Sequence, residues 1–238
     1  ERETVKGECP EMLVPDFPED TAELLTFAED IWFEYCRPLR VLGEDLKKTQ
    51  MYQNEAERKQ EMSKSLNLDE YITKLEMVVD IHRMKDHELE RVVQLINKTN
   101  QFNVTTKRYT QAEVEAIAAN PDDAIYVVNS SDKYGDSGLI SVIILIGDVG
   151  GVYIDTFLMS CRVMGRKLED VIMNELAAKY GGKFIGEFIP TAKNIPVKEL
   201  YDRLGFEMVE DNDGHKIYKL TKYQKKDFTF YKEIRFED

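Results

Sequence analysis

The sequence predicts an α/β (α+β) fold: a mixed sheet flanked by helices over residues 71–238, preceded by a helical segment over residues 1–70. Three observations lead there. From Leu75 onward, runs rich in Val and Ile alternate with segments of helical period. A helix over Arg166 to Tyr180 stops at Gly181-Gly182, the usual C-terminal glycine signal. Residues 1–70 hold helix and turn signals but no apolar set that closes a core of its own.

Taken in order, the chain opens on a helix end, a short apolar strand (Met12 to Val14) and a turn at Pro15-Asp16-Phe17-Pro18. Asp20-Thr21-Ala22-Glu23 caps a helix whose broad apolar face includes Leu24, Phe27, Ile31 and Trp32. A polar helix follows from Asp45 to about Lys64, and Asn67-Leu68-Asp69 starts a short helix or turn. Leu75 to Arg83 reads as a strand, Asp86 caps a helix carrying Leu89, Val92 and Ile96, and Thr110 begins a second helix that ends at Asn120-Pro121. Three strands are predicted at Ala124–Asn129, Leu139–Gly147 and Gly151–Met159. After the Arg166 helix come a strand (Phe184–Ile189), a helix (Val197–Leu204) and two strands (Phe206–Glu210, Lys216–Leu220). Asp211-Asn212-Asp213-Gly214 forms the hairpin turn between these last two.

The composition of the 238 residues, 42% hydrophobic and 32% charged, is that of an ordinary globular protein. The longest apolar run, Leu139 to Ile146, is far short of the ~20 residues that span a bilayer, so no membrane association is expected. A net charge of −13 argues against nucleic-acid binding, which needs a basic footprint. Three scattered cysteines, Cys9, Cys36 and Cys161, form neither a disulfide framework nor a metal motif, and reduced thiols in the cytoplasm are expected. The chain opens on Glu1 without a methionine or a secretory signal, which predicts a fragment or processed product.

The run Arg162-Val163-Met164-Gly165-Arg166-Lys167, between a strand and the long helix, resembles the pyrophosphate loop of the GNAT superfamily. The free amides and dipole of a helix N-terminus receive phosphate there, and small residues let backbone approach. Asn194, Tyr201 and Gly205-Phe206 resemble the superfamily's second signature, although as residues alone Tyr201 and Phe206 read as core. The strand and helix order also matches that layout.

A closer resemblance covers nearly the whole chain. Gln94 to Asn103, Thr105 to Tyr109, Ile154 to Arg166 and Pro190 to Asn194 look like the FkbH-like family, which joins a HAD-type phosphatase domain to a GNAT-like domain. The resemblance implies an acyltransferase that loads a glyceryl group, from a small phosphorylated glycerate, onto an acyl carrier protein. No covalently bound cofactor is implied. The thiol ligand would be the carrier's phosphopantetheine, with coenzyme A as the alternative. The HAD pattern Asp-x-Asp-x-Thr/Val is absent from this chain, so residues 1–70 read as the end of that domain, without its phosphatase centre. Lys167 departs from the Gly or Ala of the pyrophosphate loop, and its side chain crowds the approach of a diphosphate.

Within this frame Cys161 is the candidate nucleophile. It is expected at a strand end before a helix N-terminus, with Arg162 adjacent and Arg166 a turn on, a setting that favours thiolate. The resemblance makes it the acyl-accepting cysteine, while a lone cysteine otherwise reads as a small buried filler. Asp155 is a candidate for orienting a substrate hydroxyl or a basic partner, and Tyr201 for reprotonating a leaving thiolate. Asn100, Asn103, Thr191, Lys193 and Asn194 are candidates for glyceryl or pantetheine contacts, and Lys107-Arg108, Arg162, Gly165 and Arg166 for phosphate. Lys98, Arg162 and Arg166 are expected to form a basic docking patch for an acidic carrier protein. His82 and His87 have poor ligand spacing, and no metal is assigned. An acyl-CoA-dependent N-acyltransferase and a non-catalytic carrier-docking module stay open as rival readings.

Overall fold

The computed structural model describes residues 2–8, 13–36, 48–148 and 151–238, and the chain divides into two compact units, Glu1–Thr49 and Gln50–Asp238. The first holds α1 (Arg2–Glu8) and α2 (Leu24–Ile31), the latter preceded by a 3-10 turn, Thr21–Glu23, whose N-terminus is capped by the Asp20 carboxylate on the Ala22 amide at 2.9 Å. None of its described side chains is buried. Leu13 and Val14 carry no strand, and the rest of that expected element, with Cys9, lies outside the described residues.

The second unit holds α3 (Lys48–Ser63), α4 (Leu68–Leu75), α5 (Leu89–Lys98), α6 (Gln111–Ala119), α7 (Leu168–Tyr180) and α8 (Leu200–Arg203) around an eight-stranded mixed sheet. The strands are β1 (Val78–Arg83), β2 (Ala124–Asp132), β3 (Gly135–Asp148), β4 (Gly151–Met159), β5 (Phe184–Phe188), β6 (Glu207–Asn212), β7 (His215–Leu220) and β8 (Glu233–Glu237). Their order is β6-β7-β5-β4-β3-β2-β1-β8, with β4–β5 and β1–β8 parallel and every other pair antiparallel. This mixed α/β sheet flanked by helices is the predicted fold class. The sequence reading missed β8, an edge strand of five residues in which Ile234 and Phe236 alternate with charged, exposed neighbours.

Alternation along the strands sorts two cores onto two faces. Tyr126, Val128, Ile143 and Phe157 meet α4 and α7 on one face, and Val127, Val142, Ile144 and Leu158 meet α5 and α6 on the other. Local chemistry sets the helix starts. Asn67 caps α4 through the Glu70 amide, and Thr110 and Glu113 form a reciprocal capping box on α6. α7 begins at Leu168 rather than Arg166, because Lys167 at its N-cap is left-handed, φ 58°. The expected helix over 197–204 is a 3-10 turn, Ile195–Val197, followed by the short α8. The expected strand from Leu75 begins at Val78, since Leu75 closes α4 and Glu76 takes a left-handed cap. Asp213 (φ 52°) and Gly214 (φ 88°) make the β6–β7 turn, where a side chain at Gly214 would be strained.

A buried ion pair fastens α3 to the β2–β3 hairpin. Arg58 donates to both oxygens of Asp132, at 2.7 and 2.9 Å, and both side chains are almost fully buried. Replacing Arg58 by Met leaves that carboxylate with the Tyr134 amide at 3.0 Å and, as its remaining cation, Arg166 at 3.7 Å. The expected loss is about 3 kcal/mol, the lower end for a broken buried pair. Urea unfolding of Arg58→Met checks it, and adding Asp132→Asn should restore part of the loss.

Candidate functional site

β4 carries the site. Its register against β3 skips Asp155, so that Ile144 faces Thr156 and Leu145 faces Ile154. This bulge turns the Asp155 side chain out of simple alternation and lets Ile154 and Phe157 share one core face. β4 and β5 pair at only three positions, Val152 to Ile154, and then part.

At the C-terminal end of β4 the chain enters a 3-10 turn, Cys161–Val163, and Cys161 is exposed. It opens into a cavity of about 890 Å³ that Lys98, Asn100, Ser160 and Lys193 also line, with apolar walls from Phe102, Met159 and Pro196. Cys161, Asn100 and Lys193, picked from three separate stretches of sequence, therefore meet around one opening. Among the described residues that line it, none is a histidine or a carboxylate.

The surroundings of Cys161 differ from the expected ones. α7 starts seven residues later, and a three-residue turn supplies no dipole comparable to a long helix. Arg166 is buried: it donates to the Arg162 carbonyl at 2.9 Å and lies 3.7 Å from both Glu55 and Asp132. Arg166 thereby leaves both the ligand set and the docking patch. Arg162 stays beside the turn, its Nε donating to Ser160 at 3.2 Å.

Other candidates are committed to the loop architecture. Asn194, fully buried, donates to the Asn103 and Ile189 carbonyls at 3.0 and 2.9 Å and accepts from the Thr191 amide at 2.8 Å. Thr191 Oγ1 accepts from the Lys193 and Asn194 amides. Asn103, also fully buried, accepts from the Thr106 amide at 2.9 Å. Arg108 caps the carbonyl end of α5 through Ile96 and Thr99 and donates to Asn100. These side chains build the walls rather than reach a ligand. His82 is buried between Asp80 (3.1 Å) and Glu88 (3.0 Å), a structural role.

Asp155 and Tyr201 lie away from Cys161: Asp155 to Met159 alone is four residues of strand, ~13 Å. Lys107 is the basic partner of Asp155, at 2.8 Å, and also reaches Glu187 at 3.0 Å. Tyr109 donates to Asp155 at 2.7 Å, and Tyr153 and His215 bond Glu187, His215 at 2.7 Å. Burial opposes the Lys107 charge, yet the hydrogen bonds it donates to Asp155 and Glu187 outweigh it and raise its pKa well above the lysine range. Sequence reasoning missed Glu187, Tyr153 and His215, because no motif carries them and only the sheet register assembles them. Tyr201 comes from the opposite face, its ring packed on Gly186, where any Cβ would lie 2.6 Å from ring carbons. Its hydroxyl is buried without a hydrogen-bond partner, and burial first of all drives its pKa far up.

Coenzyme A, which the GNAT resemblance implies, can be tested against this geometry. Gly165 (φ 77°) offers an open backbone, but the helix N-terminus beyond it is already compensated by Glu169 and Asp170 in its first turn. Lys167 is drawn to Asp69 at 2.5 Å and over the Phe230 ring, and Tyr231 donates to the Arg166 carbonyl. These residues do not fit a diphosphate.

No protein-family model and no curated protein matches this chain. Among solved structures it is similar to the ribosomal-protein-S18-alanine N-acetyltransferase of Escherichia coli (11% identity, 60% of this chain and 90% of that one, TM-score 0.43). It is also similar to the PaiA N-acetyltransferase of Thermoplasma acidophilum in complex with coenzyme A (13%, 61% and 99%, TM-score 0.43). A third is the GNAT domain of S. lividans PAT (14%, 58% and 88%, TM-score 0.44). Among the described residues no helix is long and apolar enough to cross a membrane.

Two outcomes follow from this geometry. Removing an unpaired buried hydroxyl with Tyr201→Phe should leave stability unchanged or raise it by about 1 kcal/mol in urea unfolding. Burial works against the Glu187 carboxylate, but bonds from Tyr153, Lys107 and His215 hold its pKa below the ordinary 4.5. A carboxyl depressed on folding stabilises above its unfolded pKa and loses that contribution as pH falls through the folded one. Melting temperatures of wild type and Glu187→Gln should therefore converge as pH drops below about 4.5.

Proposed function

We propose that this domain is an acyltransferase that holds its acyl group on Cys161 and passes it to the phosphopantetheine thiol of an acyl carrier protein. The observation that carries the reading is the exposed Cys161 thiol in an open cavity beside Lys98, Asn100 and Lys193. With no carboxylate or imidazole among the described lining residues, a hydroxyl there would lack a base, and the thiol is the nucleophile the cavity can use. The FkbH-like resemblance supplies the acyl group, glyceryl, and the donor, a phosphorylated glycerate.

For the electrons to balance, the departing phosphate sits on the donor's carboxyl carbon. Sulfur attacks that carbon, phosphate leaves with the C–O bonding pair and carries off the thiol proton, and a thioester forms. The carrier thiol then attacks the thioester carbonyl, and the Cys161 sulfur departs with its proton restored. Lys98 and Lys193 offer positive charge to the phosphate and to an acidic carrier, in place of the Arg166 expected from the sequence. In this reading the chain works in the cytoplasm, and residues 1–70 are the end of a HAD-type domain. The rival N-acyltransferase reading relies on Tyr201 as acid, whose hydroxyl is sealed in the interior.

Cys161→Ala and Cys161→Ser should both abolish carrier loading without unfolding the domain. Intact-mass analysis of wild type should find a glyceryl adduct on the Cys161 peptide. Normal loading by Cys161→Ala would end the covalent reading. Lys193→Glu should slow carrier association roughly 3–10-fold at low salt and flatten its salt dependence.

A further inference from the structure

The opening between β4 and β5 is not a vacant slot. Past Ile154 the two strands part, and the chain between α5 and α6 passes into the gap. Val104 donates to the Phe157 carbonyl at 3.2 Å, and Met159 donates to the Phe102 carbonyl at 3.0 Å. On the other side, Ile189 donates to the Val104 carbonyl at 2.9 Å. Asn103 pairs with Leu158 as an antiparallel bridge, and Phe102 packs edge-on against Phe157 with centroids 5.8 Å apart. Thr105 Oγ1 takes the Asp155 carbonyl at 2.9 Å, at the bulge itself. Phe102, Asn103 and Val104 thus act as a short inserted strand, with Thr105 anchoring its end, bonded to β4 on one side and to Ile189, just past β5, on the other.

The same loop fills the polar cage next to the gap. The Lys107 ammonium lies between Asp155 and Glu187 and 5.4 Å above the centre of the Tyr153 ring. Tyr109 closes the remaining Asp155 oxygen.

We infer that Phe102–Thr105, latched by Lys107 and Tyr109, is a built-in strand that makes this domain specific for thiol ligands arriving end-on at Cys161. It excludes ligands that must lie along β4. The pantetheine arm of coenzyme A is an extended chain with two amides, and the ligand mode open to it in a sheet is strand addition, which needs unpaired backbone groups on an edge. Here the Phe157 carbonyl and the Met159 amide are already taken by the inserted strand. An acyl thioester therefore reaches the thiol only through the cavity mouth, with its arm outside the sheet. This exclusion stands whether or not Cys161 is the acylated residue.

The experiment combines calorimetry with coenzyme A and residue-resolved hydrogen exchange on the wild-type chain, Lys107→Met and the milder Tyr109→Phe. In wild type, coenzyme A up to 1 mM (about the concentration giving half-saturation at −4.1 kcal/mol) should leave exchange at Val104, Phe157 and Met159 unchanged. The Val104 and Met159 amides should be protected as strongly as Val142 in the sheet centre. Lys107→Met should speed exchange at Val104 and Met159 roughly 10-fold or more and Tyr109→Phe less, with Val142 unchanged. Micromolar coenzyme A binding that protects 157–159, or loop-like exchange at Val104 and Met159 in wild type, would overturn the inference. Unchanged exchange at both amides in the two variants would overturn the latch.

Discussion

The three-residue pairing of β4 with β5 is the constraint on which the site depends. Parallel strands that stayed together past Ile154 would bury both backbones and leave a plain sheet. They part because β4 carries an extra residue at Asp155, which turns its ladder, and because Gly186 of β5 gives up its side-chain space to the Tyr201 ring. Parting exposes amides and carbonyls in the interior, and such groups cost too much to leave unpaired. The chain meets that demand locally with Phe102–Thr105, and Asn103 and Asn194 then bind the strand's flanks to neighbouring turns. The walls of the cavity follow from this, since Lys98 to Phe102 and Ala192 to Pro196 are the two ends of those same turns.

Electrostatics separates what the sequence had grouped. Asp155, Lys107 and Glu187 satisfy one another in a largely buried place, with Tyr109, Tyr153 and His215 taking the remaining oxygens. Such a closed network fixes geometry. Arg166 is used in the same way, as a second cation near Asp132 under α3. The cations at the Cys161 opening come instead from Lys98, at the end of α5, and the loop residue Lys193, whose ammonium groups are exposed point charges.

Much of the fold was legible because strand runs and caps are local signals. Asn67, Thr110 and the Asp213-Gly214 turn act where the sequence placed them, through bonds to the next few residues. β8 was missed although Ile234 and Phe236 alternate with charges, because over five residues such alternation is a short signal and the strand is fixed by its pairing with β1. Of the site, the grouping of Cys161 with Asn100 and Lys193 was readable from the family-like blocks. The roles of Asn103, Thr191, Asn194, Arg108 and Arg166 were not. A polar residue in a conspicuous block reads as a ligand contact, whereas burial and a backbone partner make it a staple. Only tertiary structure distinguishes the two.

The helix N-terminus of α7 carries the same lesson into mechanism. A Gly-bearing loop before a long helix suggests a phosphate cradle, but the suggestion holds only if the dipole is uncompensated and the approach is clear. Here Glu169 and Asp170 supply negative charge in the first turn, and Asp69, Phe230 and Tyr231 occupy the approach through Lys167 and the Arg166 carbonyl. An anion there would meet two carboxylates of like charge in the same turn. The dipole is thereby used for folding α7 rather than for holding a cofactor. With the β4 edge paired as well, the places where an acyl-CoA could be held along the sheet are taken by the chain itself. What stays open is the end of β4, where a thiol, two lysines and an apolar wall face solvent together.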